Sequence, residues 1–333
     1  MDPQSLDAMR SHYRKIRRAV YEEATRPATG SSAQHHKNQE LFKKHVIQFC
    51  NLADLSKYKG GDETTALELW RHLWTKIRYA GIRSSTATKE IEDIKFHFAD
   101  FRNFASSAWE LKSSGYSIHS AGENVRHFVN RTGLFENCQT VGNIPKLQKT
   151  IDIARKYTTF VQTKGDSTPC LNFITGGRSP QSPWPIHEHL LSIGYTGALT
   201  ALHLMMELGF QVMKPDIVIS SLFLEWGWLH KIIPDLPKDL KVEDLHGKGR
   251  HGSKWCYTKP CLYKPSIELA RRISAAVKPE DLRNDIGWVT QNPLREFDVF
   301  VVKYGQMPEP QLGIVTQLSK SQKSCNIDSG DLI

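Results

Sequence analysis

The residues best placed to do chemistry lie between Gly194 and Asp216, which are separated by 22 positions. HEHLLSI, residues 187–193, has helical composition and runs into a tight turn, Gly194-Tyr195-Thr196-Gly197. ALTALHLMMELG then reads as a second helix that ends at Gly209, a natural C-terminal stop. Two glycines around a helix–helix turn expose backbone N–H groups at a helix N-terminus. Those donors can hold a phosphate without reading base sequence. An extended link, FQVMK, leads to Pro215-Asp216 at the start of another helix. Asp216 there has two readings: an N-terminal cap, or a reactive carboxylate held rigid by the helix start.

Other groups carry weaker signals. Trp255, Tyr257 and Tyr263 are interleaved with Lys248, Arg250, Lys254, Lys259 and Lys264. This mixture suits backbone contact and base stacking, and equally a surface loop with partly buried aromatics. Arg250, Lys254 and Lys214 are the expected phosphate contacts outside the turn. His251, Cys256 and Cys261 hint at a metal site. Their spacing is loose, however, and no second Cys/His pair follows, so no metal is expected. The six cysteines are scattered, with no cluster of four for an iron–sulfur centre, and read as reduced buried thiols.

The elements that must position these groups are mainly α-helical. Apolar residues recur at helical spacing in residues 41–55, 65–82 and 87–111, the last with Ile91, Ile94, Phe98 and Phe101 on one stripe. Shorter helices are predicted over 123–135 and 144–161, and another over 266–277. Residues 4–24 read as a basic helix whose run Arg10, Arg14, Lys15, Arg17 and Arg18 is either a solvated face or a phosphate-contacting arm. Residues 24–38 look like a linker. EFDVFVVKYG and QLGIVTQL, residues 296–305 and 311–318, have β-type composition around MPEPQ and predict a small C-terminal β-hairpin. The expected organisation is a basic helix and linker over 1–38, a helical region over 39–317 holding the hairpin at 187–216, and a disordered tail over 318–333.

With 333 residues, the chain can build a core without staples. No apolar run reaches the length of a membrane helix and the N-terminus lacks a secretory segment, so a cytoplasmic protein is expected, with no membrane partner. The net charge of +9 favours a polyanionic partner, because each neutralised phosphate releases counterions. No RNA-recognition motif is present.

The turn, the helices around it and the spacing to Asp216 resemble the helix-hairpin-helix DNA glycosylase superfamily, in its endonuclease III-like branch. The similarity covers about residues 65–230. It departs from the family in having GYTG where glycine is common at every second position, and in a longer insertion before the hairpin. The resemblance implies an enzyme that binds double-stranded DNA, flips a modified base and cleaves its N-glycosidic bond, with Asp216 as the catalytic carboxylate and Gly194, Tyr195, Thr196 and Gly197 on the DNA backbone. Members that also cut the strand carry a lysine on the second hairpin helix. The matching position here is Ala198 or Leu199, so base removal without lyase activity is implied, with no cofactor and a monomeric enzyme. Glu225 and Trp226, and Asp285 and Trp288, are candidates to line the base pocket. The layout of the whole chain is reminiscent of antiphage glycosylases that remove glucosylated hydroxymethylcytosine; repair of an altered base is the parallel expectation. The alternative is a non-catalytic protein that keeps the hairpin only to bind DNA.

Overall fold

The computed structural model describes residues 3–27, 32–51, 54–80, 84–95, 98–102, 144–162, 166–195 and 197–307. Among them the chain is mainly α-helical and contains no strand. No described helix is long and apolar enough to cross a membrane. The chain divides into two compact units, Asp54–Phe210 and the combination of Met1–Ala53 with Gln211–Ile333. The expected boundary near residue 38 lies inside the second of these. The segment 187–216 is divided as well: its turn belongs to the first unit and Asp216 to the other.

In the Asp54–Phe210 unit the helix Glu63–Tyr79 is central. Asp62 caps it by accepting from the Thr65 N–H at 3.0 Å, and Ala66, Leu69, Trp70, Leu73, Trp74 and Ile77 form its buried stripe. Helices Ile144–Val161 and Ala198–Leu208 pack against it. Three buried aromatic groups spend their polar atoms on backbone carbonyls: Trp70 Nε1 donates to Phe98 O, Tyr157 Oη to Ala66 O and Tyr195 Oη to Leu73 O, at 2.7–2.9 Å. Each bond satisfies a buried donor and fixes where one element sits on another. The helix at Ser84 ends at Ile94, so Phe98 and Phe101 are buried beyond it rather than on one continuous stripe.

In the other unit the N-terminal helix, Pro3–Thr25, buries Met9, Tyr13, Ile16 and Val20 and packs on the last described helix, Pro293–Gln306. That last helix corrects the predicted β-hairpin. Residues 296–305 are helical because Leu294, Phe297, Val301 and Tyr304 recur at spacings of three and four, and all are buried. Asn292 starts the helix by accepting from the Arg295 N–H at 3.0 Å, with Pro293 in its first turn. The β-branched composition was the weaker signal. The second predicted strand, 311–318, and the tail lie outside the described residues, as does the predicted helix over 123–135. The expected linker is also corrected in part, since Ser32–Phe42 is helical.

The basic run on the N-terminal helix is solvated only in part: Lys15 and Arg18 are exposed, whereas Arg14 and Arg17 are drawn into ion pairs. Arg17 is fully buried, 2.5 Å from Glu296 Oε1, and donates to Leu282 O at 3.0 Å. Arg14 and Arg18 both bind Asp285. Tyr13 and Thr290 complete the shell of Glu296. These cations hold the unit together.

Candidate functional site

The turn between the two hairpin helices is built by backbone rules. Helix Pro183–Ser192 ends with Gly194 at φ 80°, a left-handed conformation that glycine alone adopts without cost. Gly194 N–H donates to Leu191 O and Tyr195 N–H to Leu190 O, at 3.0 and 2.9 Å, the paired bonds of a Schellman closure. Tyr195 is buried with its hydroxyl on Leu73 O, so it anchors the turn rather than presenting a polar face. Thr196 lies outside the described residues. Gly197 is the N-cap of helix Ala198–Leu208 and offers no side-chain acceptor. The Ala198 and Leu199 amides therefore receive no side-chain cap, while Thr200 N–H donates to Gly197 O at 2.9 Å.

Gly197 differs from Gly194 in a useful way. It is exposed, its φ of −24° is not left-handed, and a Cβ built on it would meet no atom within 4 Å. The unit leaves space for a side chain at Gly197, and equally for an outside molecule to approach its backbone. Two lysines frame the turn. A Cβ on Gly194 would lie 3.4 Å from Lys156 Nζ and 3.8 Å from Lys149 Nζ. Lys156 also donates to Ile193 O. Both lysines come from helix Ile144–Val161, seven residues and so two turns apart. They are site residues that sequence reading missed, although that spacing marked them as sharing a helix face.

Asp216 caps helix Ile217–Glu225. Its Oδ1 accepts from the N–H groups of Val218 and Ile219 at 3.0 and 3.1 Å. Oδ2 has no hydrogen-bond partner among the described residues. Part of Asp216 remains open to solvent, yet the protein around it is dense. Burial pushes its carboxyl above the usual range, against the pull of the Lys214 ammonium and the two amides. Lys214 is half-buried beside this group, and its carbonyl accepts the Asp216 N–H at 2.7 Å. Asp298, on the last described helix, accepts the Lys214 N–H at 3.1 Å. Burial, then the Asp216 carboxylate, push the Asp298 carboxyl up to about 7. Sequence reading missed Asp298, because its 82-residue separation from Asp216 carries no local pattern.

The remaining candidates fall elsewhere. Glu225 ends the helix that Asp216 begins, nine residues later, so about 13.5 Å of rise and about half a turn separate their faces. Glu225 and Asp216 do not line one pocket. Both Glu225 carboxylate oxygens and Trp226 Nε1 are buried without a hydrogen-bond partner, and burial pushes the Glu225 carboxyl up. The Trp226 ring packs on His12 and Trp228, with centroids 4.6 and 4.7 Å away. Asp285 is engaged by Arg14 and Arg18; burial acts against its charge, but the two guanidinium groups prevail and hold the carboxyl below its usual range. Trp288 packs against Tyr21 and Phe42. These two residues are accounted for by packing and ion pairing.

In the basic-aromatic stretch, Trp255 and Tyr263 are buried, which corrects the stacking reading for both; Tyr257 is half-buried. Arg250 and Lys254 are exposed, Arg250 within 3.9 Å of Asp239 and Lys254 over the Trp255 ring at 4.8 Å. Buried Asp244 shapes this loop by accepting from the N–H groups of Lys241 and His251, at 2.9 and 2.6 Å. Among the described residues no group of three or more His, Cys, Asp or Glu is placed to hold a metal ion. No protein-family model, curated protein or solved structure matches the chain.

Proposed function

We propose that this chain is a monofunctional DNA glycosylase with Asp216 as its catalytic carboxylate. The observation that carries the reading is the division of labour within that side chain. Oδ1 is fixed by two helix amides, while Oδ2 is uncommitted in surroundings that desolvate it. A carboxylate held this way is preorganised to stabilise the positive, oxocarbenium-like charge that develops on a sugar as its base departs. Water then supplies hydroxide to C1′, and its proton leaves with the base. The target must first be extruded from the duplex, at a cost of a few kcal/mol.

The hairpin supplies DNA contact in this scheme. The open amides after Gly197 and the ammonium groups of Lys149 and Lys156 suit a backbone phosphate. Lys214, Arg250 and Lys254 are further phosphate contacts. Ala198 and Leu199 stand where a Schiff-base lysine would be needed, so the product is an abasic site and not a nicked strand. The substrate is double-stranded DNA with a modified base: glucosylated hydroxymethylcytosine in antiphage defence, or an altered base in excision repair. The enzyme acts in the cytoplasm as a monomer, without a cofactor.

One observation favours a second reading, a non-catalytic hairpin protein. Asp216 fully performs the structural work of an N-cap, which needs no chemistry. Asp216→Asn separates the two, because asparagine caps a helix about as well as aspartate. Duplexes carrying different damaged or hypermodified bases are incubated with the protein, and abasic sites are read by alkaline cleavage. Release of one base by the wild type, a loss of at least about 100-fold in Asp216→Asn and unchanged duplex binding are expected. If no duplex is cleaved and no base is freed, the enzyme reading fails.

A further inference from the structure

A buried carboxyl that the scheme above does not use lies one residue's backbone away from Asp216. We infer that Asp298 is the positioning residue for Asp216, pinning the link that presents it; this rests on the glycosylase reading.

The geometry runs through one residue. Asp298 Oδ1 accepts the Lys214 N–H, and the Lys214 carbonyl accepts the Asp216 N–H. The Lys214 backbone is thus held on one side by Asp298 and on the other by Asp216. The link itself is extended and lacks the internal hydrogen bonds of a helix, so this acceptor is a substantial part of what fixes it. Asp298 is 8% exposed and belongs to a helix that packs closely on the one Asp216 caps.

The charges facing the pair come from several elements. Lys214 and Asp216 lie on the link, Arg295 on the helix of Asp298, the Cys50 thiol faces Asp298, and Tyr257 faces Asp216. Lys214 has its own charge to offer two carboxylates, with Arg295 adding to Asp298 alone. Ionising both acids in a desolvated site is unfavourable, so the two titrate as a coupled pair. While Asp298 keeps a proton, Asp216 can carry the negative charge that base cleavage requires.

Two variants separate the pinning from the charge. Asp298→Asn retains an oxygen to accept from Lys214 N–H and removes the like charge. Asp298→Ala removes both. In Asp298→Asn the ascending limb of kcat against pH should stay in place and kcat should remain within about twofold of the wild type, because Asp298 is already neutral while Asp216 ionises. In Asp298→Ala kcat should fall about tenfold with KM little changed, as expected for a misplaced catalytic group. Duplex binding should be unaffected in Asp298→Asn.

An activity-independent measurement accompanies these. In protein with 13C-labelled aspartate carboxyls, the Asp216 resonance is identified by its loss in Asp216→Asn. The Asp298 resonance is identified in the same way in Asp298→Asn, and its titration midpoint should move to lower pH in Asp216→Asn. An unmoved midpoint overturns the coupling, and a folded Asp298→Ala with wild-type kcat overturns the pinning. If the wild type turns over no duplex, the glycosylase reading fails, while the carboxyl titration still decides whether Asp216 and Asp298 are electrostatic neighbours.

Discussion

Arg17 and Asp216 look alike in sequence, each an ordinary charged residue near a helix, and burial gives them opposite meanings. Arg17 sits in a basic run yet is wholly enclosed, with Glu296 beside it and the Leu282 carbonyl accepting from it. A buried charge is tolerated only when its partners are complete. Arg17→Met should therefore cost about 3–5 kcal/mol, because Glu296 would stay buried with one partner fewer. Chemical denaturation measures this, and a loss below about 1 kcal/mol would show that the pair contributes little. Arg10→Met, at a part-exposed ion pair with Asp7, should change stability by less than about 1 kcal/mol. Asp216 shows the reverse case: its cap role was legible from Pro215-Asp216, but the idle Oδ2 and the neighbouring Asp298 were not.

At the scale of elements, capping and periodicity carried most of what could be read. The hairpin turn followed from its two glycines, and the Schellman bonds at Gly194 are their structural expression. The last helix was misread because valine and phenylalanine favour strands in composition, while their spacing of three and four favours a helix; packing of the buried stripe decides. Gly305 on that helix marks where it meets the helix capped by Asp216. A Cβ there would lie 2.4 Å from Val218 Cγ1 and 3.0 Å from Leu222 Cδ1. In an open helix, Gly→Ala gains about 1 kcal/mol. Here overpacking of about 1–3 kcal/mol should outweigh that gain. The melting midpoint of Gly305→Ala should thus fall, and Val218→Ala should restore part of it. A rise would mean that the two helices are not in firm contact. Val218 also donates one of the two amide bonds to Asp216, so Gly305→Ala, by pressing on Val218, should disturb the cap.

For the whole molecule, a charge of +9 pointed to a polyanion but not to a location. Much of the N-terminal basic run is consumed by Asp285 and Glu296, whereas Lys149 and Lys156 stand at the hairpin turn. If each contacts one phosphate, replacing both with alanine should reduce the slope of log K against log salt by about 1.8 for duplex DNA. Fluorescence anisotropy across a salt series measures the slope, and an unchanged value would remove these lysines from the DNA contact. The midpoint of unfolding should move little, since neither lysine is enclosed.

The chain's own pattern was sufficient for the helical class, the hairpin turn and the cap at Asp216, because each depends on neighbours within a turn or two. Tertiary structure alone decided which charges are enclosed, which cations flank the turn and which carboxyl lies beside Asp216. The reason is physical. Burial and Coulomb interactions depend on distance in space, and Arg17 meets Glu296, like Lys214 and Asp298, only after tens or hundreds of intervening residues have folded.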